Sequence, residues 1–297
     1  MKYKYKYLGC AIAAVILGGL AGPANALVIW ENSAGSDMGA FDPATGNETT
    51  TLTQNKGNGR GIVVVGDTVY YTVASSGNVY KRSASTNADG GVAFTIAGTG
   101  GLQAISYDGT NFWVGDYSGT TKAYYVSPTG TLLNTITLDP TVTKIAGYYD
   151  GLEYFNGKLI ANRFDGGYAY AGGNQYSIYN LDGSLFQANF IDTNGHGNGT
   201  GIAFDGTDFY VSDIFNNQIS VWDGVTGAFI KDIVLQGSHN AIEDLSVDFA
   251  ARSDTCGQPG QPACTNGGGT VPEPASLALL GIGLAGLAAA RRRKQMA

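Results

Sequence analysis

The chain has 297 residues, 43% of them hydrophobic and 14% charged, with 45 glycines and a formal net charge of −7. That length is enough for one sizeable core or one closed all-β domain. Seven of the 17 lysines and arginines stand at the two extreme ends, and without them and Glu273 10 basic residues face 23 acidic ones, an acidic body that argues against nucleic acid and anionic lipid as partners.

The first residues read as an export signal. Lys2, Lys4 and Lys6 form a positive region, Leu8 to Leu20 is apolar, and Ala24-Asn25-Ala26 is a small-x-small cleavage site. Residues 1–26 are therefore expected to leave as a signal peptide, taking Cys10 with them. The mature chain would begin at Leu27.

From there to Phe249 the sequence is built of short alternating runs rich in Val, Ile, Tyr and Thr, separated by Asp-Gly and Asn-Gly turns. That pattern predicts many short antiparallel strands. Leu27–Asn32, Met38–Gly46 and Asn47–Thr53 read as the second, third and fourth strands of a unit lacking its first. Complete units open at Gly61, Gly101, Gly151 and Gly201. The clearest runs from Gly201 to Leu235, with strands Gly201–Phe204, Phe209–Asp213, Gln218–Trp222 and Ala228–Val234. Ala241–Phe249 reads as a first strand with nothing after it. A period of 40 to 50 residues with four strands per unit is the signature of a β-propeller. Joining the two incomplete ends closes the ring and removes two open edges. The expectation is an all-β, five-bladed propeller over 27–250. Six blades is the runner-up, should 139–150 or 164–173 hide strands.

The aromatics Tyr70, Trp113, Tyr124, Tyr176, Tyr210 and Trp222 recur at repeat positions and read as core. Asp67, Asp108 and Asp205 fall in tight turns that need positive φ. Asp116, Asp213 and Asp223 end strands, where they would accept backbone N–H bonds between blades. The tract Gly166–Tyr176 is an insertion that the repeat does not require. Its Tyr168, Tyr170 and Tyr176 are candidates for stacking on a sugar or a protein.

The segment 251–270 is Gly/Pro-rich and reads as a flexible stalk. Cys256 and Cys264 lie in it, and an oxidising compartment would join them as a local disulfide. The last stretch, 271–297, has three parts. Pro272-Glu273-Pro274 forbids helix. Ala275–Ala290 is apolar and able to enter a bilayer as a helix. Arg291, Arg292, Arg293 and Lys294 then stay cytoplasmic by the positive-inside rule. The order resembles the PEP-CTERM sorting signal of Gram-negative bacteria in all three parts. The resemblance implies export by the Sec machinery, transient insertion into the inner membrane through this helix, cutting by an exosortase, and delivery to the cell surface or beyond. It also implies an association with exopolysaccharide.

The repeats resemble NHL-like and lactonase-like propellers, through the Gly-Ile-x-x-Asp-Gly-x-x-Phe-Tyr-Val-x-Asp pattern of Gly201–Asp213. That pattern is specific for architecture and poor for function. In such a ring the loops before each first strand gather at one end of the channel. They hold Asn58, Arg60, Thr99, Asp150, His196, Asn198, Thr200, His239 and Asn240. Glu153 and Glu243 look equivalent, each two residues past the start of its unit. Asp150, Glu153, Asn198, Asn240 and Glu243 are candidate oxygen ligands for Ca²⁺, the one cofactor the sequence suggests. His196 or His239 would then be a general base. The lactonase-like resemblance implies such a hydrolase, although the Gly-Pro that often follows the glutamate in those enzymes is replaced by Tyr154-Phe155. The first reading is non-catalytic: a surface or matrix module that binds protein or polysaccharide. The Ca²⁺-dependent lactonase or esterase is the alternative.

Overall fold

The computed structural model describes residues 27–252, apart from 36, 118–120, 140–148, 163–174 and 238–240. Among them, twenty strands pair into five antiparallel four-stranded sheets. Blade one is β4 (Gly59–Val65), β5 (Thr68–Val73), β6 (Asn78–Ser83) and β7 (Asp89–Thr95). Blade two is β8 (Leu102–Tyr107), β9 (Phe112–Asp116), β10 (Lys122–Val126) and β11 (Leu132–Thr137). Blade three is β12 (Leu152–Phe155), β13 (Lys158–Asn162), β14 (Gln175–Tyr179) and β15 (Leu185–Asp192). Blade four is β16 (Gly199–Phe204), β17 (Asp208–Asp213), β18 (Gln218–Asp223) and β19 (Phe229–Val234).

The fifth blade is shared by the two ends of the chain. β20 (Ile242–Val247) lies innermost and pairs with β1 (Ile29–Ser33), followed by β2 (Asp37–Phe41) and β3 (Glu48–Thr53). β20 also packs on β4 and β16, the innermost strands of blades one and four, so the ring closes. Five blades and the closure from both termini agree with the sequence reading. One detail differs. The third strand of the closing blade stops at Phe41, because Asp42 folds back and accepts the N–H of Ala44 and the hydroxyl of Thr45.

The core is not one mass but five layers, each between neighbouring blades. Successive side chains of a strand point to opposite faces. Thus Ile62 and Val64 pack towards the closing blade, while Val63 packs towards blade two. Ala104 faces blade three and Ile105 faces blade one. Both faces of the inner strands are covered, and this explains their continuous burial. Trp113, Tyr124, Tyr176, Tyr210 and Trp222 are buried in these layers, as their recurrence predicts, whereas Tyr70 is half-buried against the layer between blades one and two. Each buried ring is worth roughly 1.5–3 kcal/mol.

Neighbouring blades are also locked at the rim. The hairpin between third and fourth strands of each blade abuts the outer strand of the blade before it. In blade four this is Gly227, at φ +69, where an added Cβ would stand 1.9 Å from the Phe190 carbonyl oxygen. In blade one Asn87 fills the same place with φ 58, and its side-chain oxygen accepts the N–H of Thr53.

The aspartates do turn work differently from expectation. The carboxylates of Asp108 and Asp205 accept the N–H groups of the next turn residues, and the positive φ falls on Gly109 and Gly206. Asp67 likewise leaves positive φ to Gly66 and accepts from Ser83 and Ser85. The carboxylate bonds seen for Asp116, Asp213 and Asp223 include contacts within their own blades. Asp116 accepts the Tyr124 hydroxyl at 2.7 Å, and the other two accept from the residues just beyond them. An acceptor that bridges two other blades is Asp244 in the closing strand. Its carboxylate takes the N–H of Ile62 in blade one and of Ile202 in blade four, at 3.1 and 3.3 Å. Burial pushes that carboxyl well above the ordinary aspartate range, against the lowering effect of these bonds.

Candidate functional site at the entry mouth

The innermost strands all run the same way along the channel, so their starting ends define an entry mouth and their finishing ends an exit mouth. The registers Ile62↔Tyr71, Ile105↔Val114, Leu152↔Ala161, Ile202↔Val211 and Leu245↔Glu31 align the five blades. Two residues upstream of that level stand Arg60, Gln103, Asp150, Thr200 and Glu243, one from each blade. They form a polar ring at the entry.

The ring is internally paired. An Arg60 guanidinium nitrogen lies 2.6 Å from a Glu243 carboxylate oxygen, and both side chains are largely buried. Arg60 also sits against the Tyr117 ring, 4.9 Å from its centroid. The Gln103 amide donates to Oδ1 of Asp150. Thr200 donates to the Ile242 carbonyl at 2.9 Å. Burial pushes the Asp150 carboxyl up to about 7, with the Glu243 charge adding to the rise and Arg60 opposing it. Burial also raises Glu243, against the pull of Arg60. The Arg60 Nε and the Gln103 Oε1 are buried with no hydrogen-bond partner among the described residues.

A second set of side chains braces this ring. Thr72, Asn162 and Ser212 each accept the N–H of the glycine opening their own unit: Gly61, Gly151 and Gly201. Each also reaches an inner strand of the next blade, through Gln103, Gly199 and Ile242 respectively. Asn32 does the same from the closing blade, donating to the Gly61 carbonyl. Sequence reasoning missed these stitches. Their signal was a polar residue eleven positions after each opening glycine at 61, 151 and 201. In blade two the register counterpart is Gly115, eleven positions after Ala104, and the ring of Tyr149 occupies the vacated space.

The structure brings Asp150 and Glu243 together and sets Glu153 apart from them. Glu153 is not equivalent to Glu243: it follows Leu152, whereas Glu243 precedes Leu245 by two. It therefore lies deeper in the channel, 2.6 Å from Arg252. The Asn198 carbonyl accepts the Ile214 N–H at 3.2 Å. His196 turns outward, its ring stacked 3.7 Å from that of Phe229 on the outermost strand of blade four. Tyr176 is no loop residue: it is fully buried in β14 and its hydroxyl donates to the Thr200 carbonyl at 2.9 Å. The repeat explains it, and its place beside the insertion was incidental. His239, Asn240, Tyr168, Tyr170, Ala24, Ala26, Cys256, Cys264 and the tail residues Pro272, Glu273, Pro274, Arg291, Arg292 and Arg293 lie outside the described residues. Among the described residues no group of three or more His, Cys, Asp or Glu is placed to hold a metal ion.

Comparison with known proteins agrees with both halves of the chain. A family model described as the PEP-CTERM protein-sorting motif matches residues 270–294. No curated protein matches the chain. A chain in the crystal structure of a nidogen/laminin complex is similar with a TM-score of 0.52 and 12% identity, over 76% of this chain and 99% of that one. A protein of unknown function from Bacteroides caccae gives 0.47 and 11% identity, over 75% and 99%. The chain is thus a five-bladed β-propeller joined to a sorting motif. More particularly, it is an exported propeller that carries the PEP-CTERM motif, which implies exosortase processing and sorting to the cell surface.

Proposed function

We propose that the protein is a non-catalytic module of the cell surface or extracellular matrix, binding protein or polysaccharide through a propeller face. The observation that carries this reading is the internal neutralisation of the channel. Glu243 is paired with Arg60 and Glu153 with Arg252, while Asp150 is held by Gln103. A Ca²⁺ ion wants six to eight oxygen ligands, and guanidinium groups stand where two of the proposed carboxylates would turn. The similar propeller of known structure was solved within a nidogen/laminin complex, a precedent for the frame in protein assembly. Delivery would run through the signal peptide, transient insertion of the C-terminal helix and exosortase cleavage, with Cys256 and Cys264 joined in the stalk.

One observation favours the hydrolase as a second reading. Asp150, with its carboxyl near 7, is able to exchange a proton at neutral pH beside Glu243. Two measurements on the exported chain separate the readings. Glycan arrays and partner capture, with Arg60→Ala as control, should find a ligand if the module binds. Calorimetric titration of Ca²⁺ into chelator-treated protein should show no tight site. A tight site lost in Glu243→Gln, together with lactone or ester turnover, would overturn the binding-module reading.

A further inference from the structure

The closing strand does not simply run out of the ring. After β20, Asp248 caps a 3₁₀ turn, Phe249–Ala251, and the chain from Asp248 to Arg252 reaches across the exit mouth. Asp248 accepts the N–H of Gly66 in blade one at 2.8 Å. Phe249 meets Tyr107 of blade two edge-on, with centroids 5.1 Å apart. Arg252 donates to Glu153 in blade three at 2.6 Å and to the Tyr154 carbonyl at 2.9 Å. Its guanidinium also lies 5.1 Å from the ring centroids of Phe204 in blade four and of Phe249. Both Phe249 and Arg252 are buried. One short segment thus touches all four of the other blades.

We propose that Asp248–Arg252 is an axial latch that fastens the sorting tail to the whole ring. The pairing of β20 with β1 places Val247 opposite Ile29 at the exit end. Tension on a tail attached directly to Val247 would open that ladder one hydrogen bond at a time, starting from its end. The latch transfers the tension to blades one to four before it reaches the ladder. It also buries Arg252, the side chain that a protease specific for basic residues must seat to sever the tail from the domain at its first such position. In a protein held at the cell surface by its C-terminal end, both properties keep the propeller attached.

Trypsin reads the latch directly, since the chain from 253 to 290 contains no Lys or Arg. The full exported chain, kept in mild detergent, is digested and its products are followed by intact mass. In the native protein, cleavage after Arg252 should be at least about ten-fold slower than in the urea-unfolded chain. Glu153→Gln and Arg252→Lys should each speed that cut several-fold while cleavage after Lys122 and Lys158 stays unchanged. Arg252→Lys keeps the charge and the cleavable bond but loses the fork that holds Glu153 and Tyr154 together. Native protein trimmed at Arg252 as fast as unfolded chain would overturn the proposal. So would an Arg252→Lys variant no more sensitive than the native protein, even if Glu153→Gln failed to fold.

Discussion

Asp150→Asn should flatten the pH dependence of stability, with a sign opposite to that of an ordinary salt-bridged aspartate. In the folded protein the Asp150 carboxyl sits at about 7 instead of its usual 3.8, chiefly through burial. Between those values the folded state keeps a proton that the unfolded chain has released. Stability contributed by this group is therefore full below pH 4 and falls as pH rises, by up to 1.36 kcal/mol per unit. The interval between 3.8 and about 7 sets an upper bound of about 4 kcal/mol at pH 8. Relaxation of Arg60 towards the ionised group recovers part of it, so about 2 kcal/mol is expected. The substituted amide would keep an oxygen for the Gln103 amide but no charge. The variant should match the native protein at pH 4.5 and exceed it at pH 8 by about 2 kcal/mol, a rise of roughly 4–8 °C in melting temperature for a domain of this size. Urea and thermal unfolding at a series of pH values between 4.5 and 8.5 measure the difference. A gap between the two proteins that stays constant across that range would refute the placement of a protonated aspartate in the ring.

Gly227→Ala should cost about 2–4 kcal/mol, because alanine disfavours the left-handed φ and its Cβ would press on the Phe190 carbonyl; unchanged unfolding in urea would show that the rim contact is loose. Asp244→Ala should cost about 2–5 kcal/mol, since two buried N–H groups, of Ile62 and Ile202, lose their acceptor. Chemical denaturation checks it, and a loss below about 1 kcal/mol would mean that water replaces the carboxylate. Replacing Pro272, Glu273 and Pro274 by alanine should leave uncut protein in the membrane fraction on an immunoblot, whereas normal release would remove the role given to the motif.

The architecture was legible because it rests on local signals repeated five times. Asp-Gly turns, alternating strands and the two incomplete ends specify the ring without knowledge of any contact. The site was half legible for the same reason. Arg60, Asp150, Thr200 and Glu243 could be chosen from their loops, but their pairing could not. Which carboxylate meets which arginine depends on the register of strands from different blades. A bulge between Gly59 and Ile62, or between Asn32 and Ser33, shifts that register by one position. The closing strand carries Asp244 where the other units carry Gly61, Gly151 and Gly201, so counting from Ala241 started three residues early and put Glu153 and Glu243 on one level, when strand pairing puts them on two.

That shift has a chemical consequence. On one level, two glutamates and an aspartate would have faced each other with one arginine, Arg60, to offset them, and a bound cation or a retained proton would have had to relieve the remaining repulsion. On two levels, each glutamate finds its own arginine, Arg60 at the entry and Arg252 at the exit. Arg252 reaches Glu153 only because the chain, having completed the last inner strand, turns across the channel before leaving for the sorting tail. The residue that neutralises the deep carboxylate is thus the same one that fastens the tail. Exchanging the Arg252–Glu153 pair for a well-packed apolar pair should preserve the fold while removing the charge that a cation in the channel would need. A double variant, Glu153→Leu with Arg252→Met, tests this through its melting temperature. A fall of more than about 10 °C would mean that the ion pair, and not the closing strand, holds the exit mouth together.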